Sequence, residues 1–119
     1  MPMDFNAFAA IDFCYLTTTG RVTGQPRTIE IWFAMQGETL YMLAGSGRRA
    51  GWVKNLLRTP EVSVRLGQTH FTGRARLVKQ AEEDTLARQL VVGKYQPRDS
   101  DDLSTWGKVA LPVAIEFYL

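Results

Sequence analysis

Residues 14–27 read Cys14-Tyr15-Leu16-Thr17-Thr18-Thr19-Gly20-Arg21-Val22-Thr23-Gly24-Gln25-Pro26-Arg27, and the fold follows from how that stretch is read. Cys14 to Thr19 is rich in β-branched and aromatic residues, which suit a strand. Two glycines and a proline then punctuate a hairpin loop. Beyond it, residues 27–35 alternate, with Ile29, Ile31 and Phe33 on one face and Thr28, Glu30 and Trp32 on the other. That period of two predicts one half-buried strand. Gln36-Gly37-Glu38 turns the chain into a third strand, 39–44.

After Gly45-Ser46-Gly47, residues 48–58 carry a helical pattern with Trp52, Leu56 and Leu57 as the apolar side, and Pro60 closes it. Val62, Val64 and Leu66 alternate in a fourth strand. In a fifth, Phe71, Ala75 and Leu77 face in, while His70, Thr72, Arg74 and Arg76 face out. Residues 81–95 form a second helix, with an acidic first turn of Glu82, Glu83 and Asp84 that suits the helix dipole and a stripe of Leu86, Leu90 and Val91. A polar loop, 96–102, leads through Leu103-Ser104-Thr105-Trp106 to a last strand after Pro112, residues 113–119. The expectation is a mainly β, α+β domain of six mostly antiparallel strands and two helices. So many short strands around a small core favour a closed or nearly closed barrel, since closure removes exposed edges.

The chain has 119 residues, 45% hydrophobic and 22% charged, which fits one domain spanning 1–119 and excludes a disordered or collagen-like chain. No apolar run reaches the ~18 residues of a membrane span. Met1-Pro2-Met3-Asp4 lacks the layout of a signal peptide. Cys14 is the single cysteine, so no internal disulfide can form, and a reducing, cytoplasmic setting is expected. The net charge of +2 hides an uneven distribution. Residues 20–80 hold ten Arg or Lys against three acids, a local +7; residues 1–19 carry −2 and residues 81–119 carry −3. A basic middle between acidic flanks points to an anionic ligand.

Ser46, Gly47, Arg48 and Arg49 lead into a helix start, where small residues turn backbone N–H groups outward and arginines add planar, bidentate donors for phosphate or carboxylate. A plain connection with solvated arginines reads equally well on spacing alone. Arg21 and Arg27 flank the hairpin loop and would join the same basic mouth if the hairpin folds toward that turn. Glu30 reads as a residue on the solvent side of the strand, or as paired with a cross-strand arginine such as Arg74 or Arg76, or else as a carboxylate at the barrel mouth. His70, the only histidine, has no nucleophile or carboxylate near it in sequence, and Cys14 reads as a small buried hydrophobe. No His/Cys/carboxylate spacing fits a metal. Nucleic-acid binding would use the positive segment, but no groove-reading helix or aromatic RNA-binding signature accompanies it.

The stretch Leu16 to Arg27, followed by a strand, a Ser/Gly/basic turn, Trp52, Asn55-Leu56 and Pro60-Glu61-Val62-Ser63-Val64, resembles the deazaflavin-dependent nitroreductase family. The likeness runs from about residue 13 to residue 79. It implies a split β-barrel of the flavin and F420-binding superfamily, related to pyridoxamine-phosphate oxidases. It further implies an oxidoreductase that passes a hydride from reduced coenzyme F420 to a quinone, enone or nitro compound. Carried over, Arg21, Arg27, Ser46, Gly47, Arg48 and Arg49 would hold the anionic tail. The strand Ile29, Glu30 and Ile31 would lie beside the ring, Trp52 and Asn55 would support the wall, and Tyr95 would stand on the substrate side. The chain departs from the family pattern at Val22 and at Ser46-Gly47, which leaves FMN, or a non-catalytic carrier of F420, haem or a fatty acid, as alternatives. Pairing of two copies through a face containing Trp32 and Tyr118 is a further expectation.

Overall fold

The computed structural model describes residues 5–118. Met1-Pro2-Met3-Asp4 and Leu119, the end of the expected last strand, lie outside them. The hairpin forms as read: β1 (Cys14–Thr19) pairs with β2 (Pro26–Ile31), with Leu16 opposite Ile29 and Thr18 opposite Arg27. There follow β3 (Ala34–Gln36), β4 (Thr39–Ala44), α1 (Gly51–Arg58), β5 (Glu61–Leu66), β6 (Thr69–Leu77), α2 (Ala81–Tyr95), α3 (Ser104–Val109) and β7 (Leu111–Phe117). All the strands join one antiparallel sheet in the order β2-β1-β5-β6-β7-β4-β3.

The first and last strands of that order are neighbours in sequence, separated only by Trp32 and Phe33. Three Cα steps span at most about 10 Å. The sheet must therefore curl until its two edges nearly meet, and the covalent chain, not a hydrogen-bonded ladder, completes the barrel. The split barrel is as expected, but its count differs: among the described residues seven strands and three α-helices replace six and two. The expected strand over 27–35 divides because the chain leaves one sheet edge at Ile31 and joins the other at Ala34. Side-chain alternation continues across the gap, so the sequence period does not register it.

Two cores result. Inside the barrel, Cys14, Leu16, Phe33, Leu40, Met42, Val64 and Ile115 pack together, with Val53 and Leu56 of α1 closing one end. Leu57, expected on that apolar side, is instead 46% exposed. Outside the barrel, α2 lays Ala87, Val91 and Tyr95, spaced i, i+4 and i+8, against Tyr41, Leu43 and Ala114. Leu86 and Leu90, expected to lead that stripe, are only half-buried. Strand β4 buries side chains on both faces and is the wall shared by the two cores.

Among the described residues no helix covers the outer face of β2, β1, β5 and the first part of β6, where polar side chains pair across the strands. Thr17 and Thr28 hydroxyls meet at 2.7 Å, and Arg74 binds Glu61 at 3.2 Å. The Arg65 guanidinium lies 4.2 Å from the Tyr15 ring centroid. Glu30 does not pair with Arg74 or Arg76. Two strands separate β2 from β6, and the Tyr15 hydroxyl, directly opposite, donates to Glu30 Oε1 at 3.0 Å.

Candidate functional site

The hairpin loop closes tightly, with Gly20 N–H donating to Gln25 O and Gly24 N–H to Gly20 O, both at 2.8 Å. Its orientation is fixed by Asn55 of α1, which is buried. Asn55 Oδ1 accepts from the Arg21 backbone N–H at 3.1 Å and from Arg21 Nη1 at 3.0 Å, while Nδ2 donates to Thr18 Oγ1 at 3.1 Å. Arg21 Nη1 also reaches Gly51 O at 3.4 Å. The hairpin therefore does fold onto the segment after β4, the proximity that sequence alone left open. Asn55 acts as the pin that holds it there.

That segment begins with a 3-10 turn, Gly47–Arg49, entered through Gly47 at φ +58°, a backbone angle that favours glycine. Extended backbone at Ala50 (φ −61°, ψ 134°) separates the turn from α1, so the expected helix over 48–58 is two pieces. Ser46 makes no side-chain capping bond. Residues 20–28 and 45–60 contain six cations, Arg21, Arg27, Arg48, Arg49, Lys54 and Arg58, and not one acid. Among the described residues none of the six forms an ion pair. A small cleft of about 130 Å³ opens between Gly20, Arg21, Val22, Thr23, Arg27 and Asn55. Of the other four cations of the +7 segment, Arg74 binds Glu61, Arg76 binds Glu83 and Glu116, and Arg65 lies over the Tyr15 ring.

From this basic mouth the sheet-edge strand β2 runs from Arg27 to Ile31, about 13 Å at 3.3 Å per residue. Ile29 and Ile31 lean on the inner core, Glu30 faces solvent, and Trp52 is half-buried against the same core. At the far end of β2 lies a pocket of about 240 Å³ lined by Asp12, Phe13, Trp32, Tyr95 and Arg98. Trp32 stacks on Tyr95 (centroids 4.3 Å apart, planes 4° apart) and meets Trp106 edge-on. Trp32 is thus built into the helix-covered side, whereas Tyr118 stands exposed beside the uncovered face, so the two do not share a surface.

The Tyr95 hydroxyl accepts from Phe33 N–H at 3.0 Å and donates toward Asp12 O at 2.8 Å and Phe33 O at 3.1 Å. Burial pushes its pKa up to about 12. Tyr95 therefore offers the pocket its ring, with its proton committed to backbone. Next to it, Lys94 Nζ donates to Ile11 O at 2.8 Å and Phe33 O at 3.0 Å, and burial, helped by Arg98, lowers it to about 8. The Cys14 thiol, raised to about 12 by burial, is inert packing as read from sequence. His70 is exposed on β6 opposite Arg65. Among the described residues no cluster could hold a metal ion.

A larger cleft of about 610 Å³, bounded by Tyr41, Arg76, Lys79, Glu83 and Leu86, was not foreseen. Three of its polar groups satisfy one another. Arg76 grips Glu83 through two bonds of 2.7 and 2.8 Å, and Tyr41 donates to Glu83 at 2.6 Å. Arg76 holds the Glu83 carboxyl down to about 2. This is a structural clasp between α2 and the sheet, so the basic mouth, β2 and the aromatic pocket remain the candidate site.

Residues 5–116 match the model of the F420H(2)-dependent quinone reductase family. The chain belongs to that family. Over 72 residues it is 35% identical to an F420H(2)-dependent quinone reductase of Mycobacterium tuberculosis strain H37Rv, covering 58% of this chain and 48% of that protein. The chain thus spans about half the length of the curated relatives it matches. Among solved structures, an F420-H2 dependent reductase superposes with TM-score 0.71 at 21% identity, covering 87% of this chain and 93% of that one. A conserved hypothetical protein of M. tuberculosis superposes with TM-score 0.75 at 22% identity, covering 98% and 82%. Likenesses at such identity establish the fold of this F420H(2)-dependent quinone reductase family member.

Proposed function

We propose that this protein is a coenzyme F420-dependent reductase that hands a hydride from the reduced deazaflavin to an electrophilic small molecule of the quinone class. One observation carries the reading: a cleft lined by Arg21 and Arg27, neither of them in an ion pair, stands at one end of an open edge strand, and an aromatic pocket stands at the other. A coenzyme with a planar ring and a long anionic tail matches that order of chemistries. The donor set fits it: Arg21, Arg27, Ser46, Gly47, Arg48 and Arg49 would take the tail, Ile29 to Ile31 would flank the ring, and Trp52 and Asn55 would brace the wall. The bound deazaflavin supplies the hydride. The protein's part is placement: Asn55 fixes the hairpin, Trp32 and Tyr95 present a flat apolar surface for the acceptor, and the strand-length spacing sets ring against acceptor while water is displaced. Such chemistry needs no catalytic triad, consistent with a Tyr95 hydroxyl and a Cys14 thiol that are both occupied or buried.

Titration with F420 and with FMN, followed by ligand fluorescence, tests this. Micromolar F420 affinity that weakens at least tenfold in Arg48→Ala/Arg49→Ala, together with menadione turnover, is the expected result. FMN binding alone would transfer the reading to an FMN oxidoreductase, and F420 binding without turnover to a carrier. The sheet face around Tyr118 alternates Arg65 and Arg74 with Glu30 and Glu61, a self-complementary pattern that supports pairing of two copies there. Sedimentation of the wild type against Tyr118→Asp measures it. Among the described residues no helix is long and apolar enough to cross a membrane. A single cysteine, with no disulfide framework, supports a cytoplasmic setting.

A further inference from the structure

The Asp12–Phe13–Trp32–Tyr95–Arg98 pocket holds charged groups as well as a shape. At about 240 Å³ it lies just below the range usual for drug-sized ligands, room for a one- or two-ring molecule. Its walls are the 42%-exposed Phe13 and the Trp32–Tyr95 stack. Its rim holds one ion pair, Arg98 Nη1 to Asp12 Oδ1 at 2.6 Å, and the Arg98 guanidinium centre stands 5.9 Å from the Tyr95 ring centroid. A guanidinium has five N–H donors, and among the described residues only Nη1 of Arg98 has a protein acceptor. Lys94, half-buried one helical turn earlier and outside the pocket lining, donates to the carbonyls of Ile11 and Phe33 and lies 3.7 Å from the Phe33 ring centroid.

Two of the three acids that follow in sequence are turned onto their own loop. Asp99 Oδ1 accepts from Asp101 N–H at 2.9 Å, and Asp102 Oδ1 accepts from Ser104 N–H at 2.9 Å. Arg98, held to Asp12 through one nitrogen, is therefore the cation that lines the aromatic pocket.

We infer that Arg98 makes this pocket selective for planar aromatic acceptors that bear an anionic substituent. The ring stacks beside Trp32 and Tyr95, and the anion takes the free Nε–H and Nη2–H of Arg98 in the planar, two-pronged geometry that a guanidinium offers. Asp12 is the counterweight: it orients Arg98 through one nitrogen and lowers the local positive charge. This inference rests on the pocket serving as the acceptor side of the proposed reductase.

The test uses the full chain without coenzyme. Quenching of tryptophan fluorescence gives affinities for 1,4-naphthoquinone-2-sulfonate and for neutral 2-methyl-1,4-naphthoquinone. The sulfonate should bind about tenfold tighter, the factor that one charge-assisted contact supplies. Arg98→Gln should bring the ratio of the two affinities to about one, and Asp12→Asn should raise it severalfold. Trp32→Phe should remove most of the quenching, and the preference should persist in Arg48→Ala/Arg49→Ala, which separates this pocket from the basic mouth. Thermal melts confirm that each variant is folded. An unchanged ratio in Arg98→Gln, or a preference that vanishes with Arg48 and Arg49, overturns the inference. Failure of F420 to bind would instead sink the coenzyme reading, since no coenzyme enters this measurement.

Discussion

Replacing Asn55 with alanine is expected to loosen the whole basic mouth. The side chain is 5% exposed and makes three hydrogen bonds, two to Arg21 and one to Thr18. Alanine strands the Arg21 backbone N–H and the Thr18 hydroxyl, which is itself 2% exposed. Leaving a buried donor or acceptor unmade costs about 1–3 kcal/mol each. Arg21 Nη1 can turn to water and costs little. A loss of about 3 kcal/mol follows, a large part of the stability of a domain this size. Asn55→Asp discriminates the cause: its oxygens still accept from Arg21, now with charge assistance, and the Thr18 hydroxyl can reverse and donate. Urea denaturation should show Asn55→Ala down by about 3 kcal/mol with an unchanged m-value, and Asn55→Asp retaining more than half of that. A loss below about 0.5 kcal/mol, or an aspartate variant as weak as the alanine, would refute the pin.

Other expectations concern packing and protonation. A Cβ on Gly73 would stand 2.6 Å from the backbone oxygen of Glu116, so Gly73→Ala must push β6 from β7 and should cost at least about 2 kcal/mol by the same assay. Because Arg76 holds Glu83 near 2 against an ordinary 4.5, the clasp stabilises above pH 4.5 and is lost as pH falls from there toward 2. Arg76→Gln should flatten the acid limb of the melting-temperature profile over that window. Burial lowers Lys94 from 10.5 to about 8, so between those values the unfolded chain binds more protons and stability should rise with pH, a slope that Lys94→Met removes.

The hairpin was legible because Gly20, Gly24 and Pro26 announce a loop between two β-rich runs, and the inward faces of β5 and β6 followed from strict alternation. The seam at Trp32-Phe33 was not, since moving from one sheet edge to the other leaves the period of two intact. Helix α3 escaped because six residues with one aromatic carry too little periodicity. Its local mark is Asp102, whose carboxylate accepts the Ser104 N–H at the helix start. The cations of the mouth stood out once charge was counted by segment, but Asn55 looked like a wall residue until its partners were seen. The aromatic pocket was the least readable part, because its lining comes from residues 12–13, 32 and 95–98, which only the closed sheet brings together.

The two-sided burial of β4 has a consequence for how the molecule opens. Leu40, Met42 and Ala44 belong to the interior cluster while Tyr41 and Leu43 belong to the one beneath α2, so neither layer can melt without solvating the other through their common strand. The paired amides of β4 and β7 should therefore exchange with deuterium only through global unfolding, at the full stability of the fold. Strand β2, held by β1 along one edge, should exchange through shallow local opening. The edge strand beside which the coenzyme is proposed to lie is thus the part of the sheet that can breathe, braced against a wall that cannot.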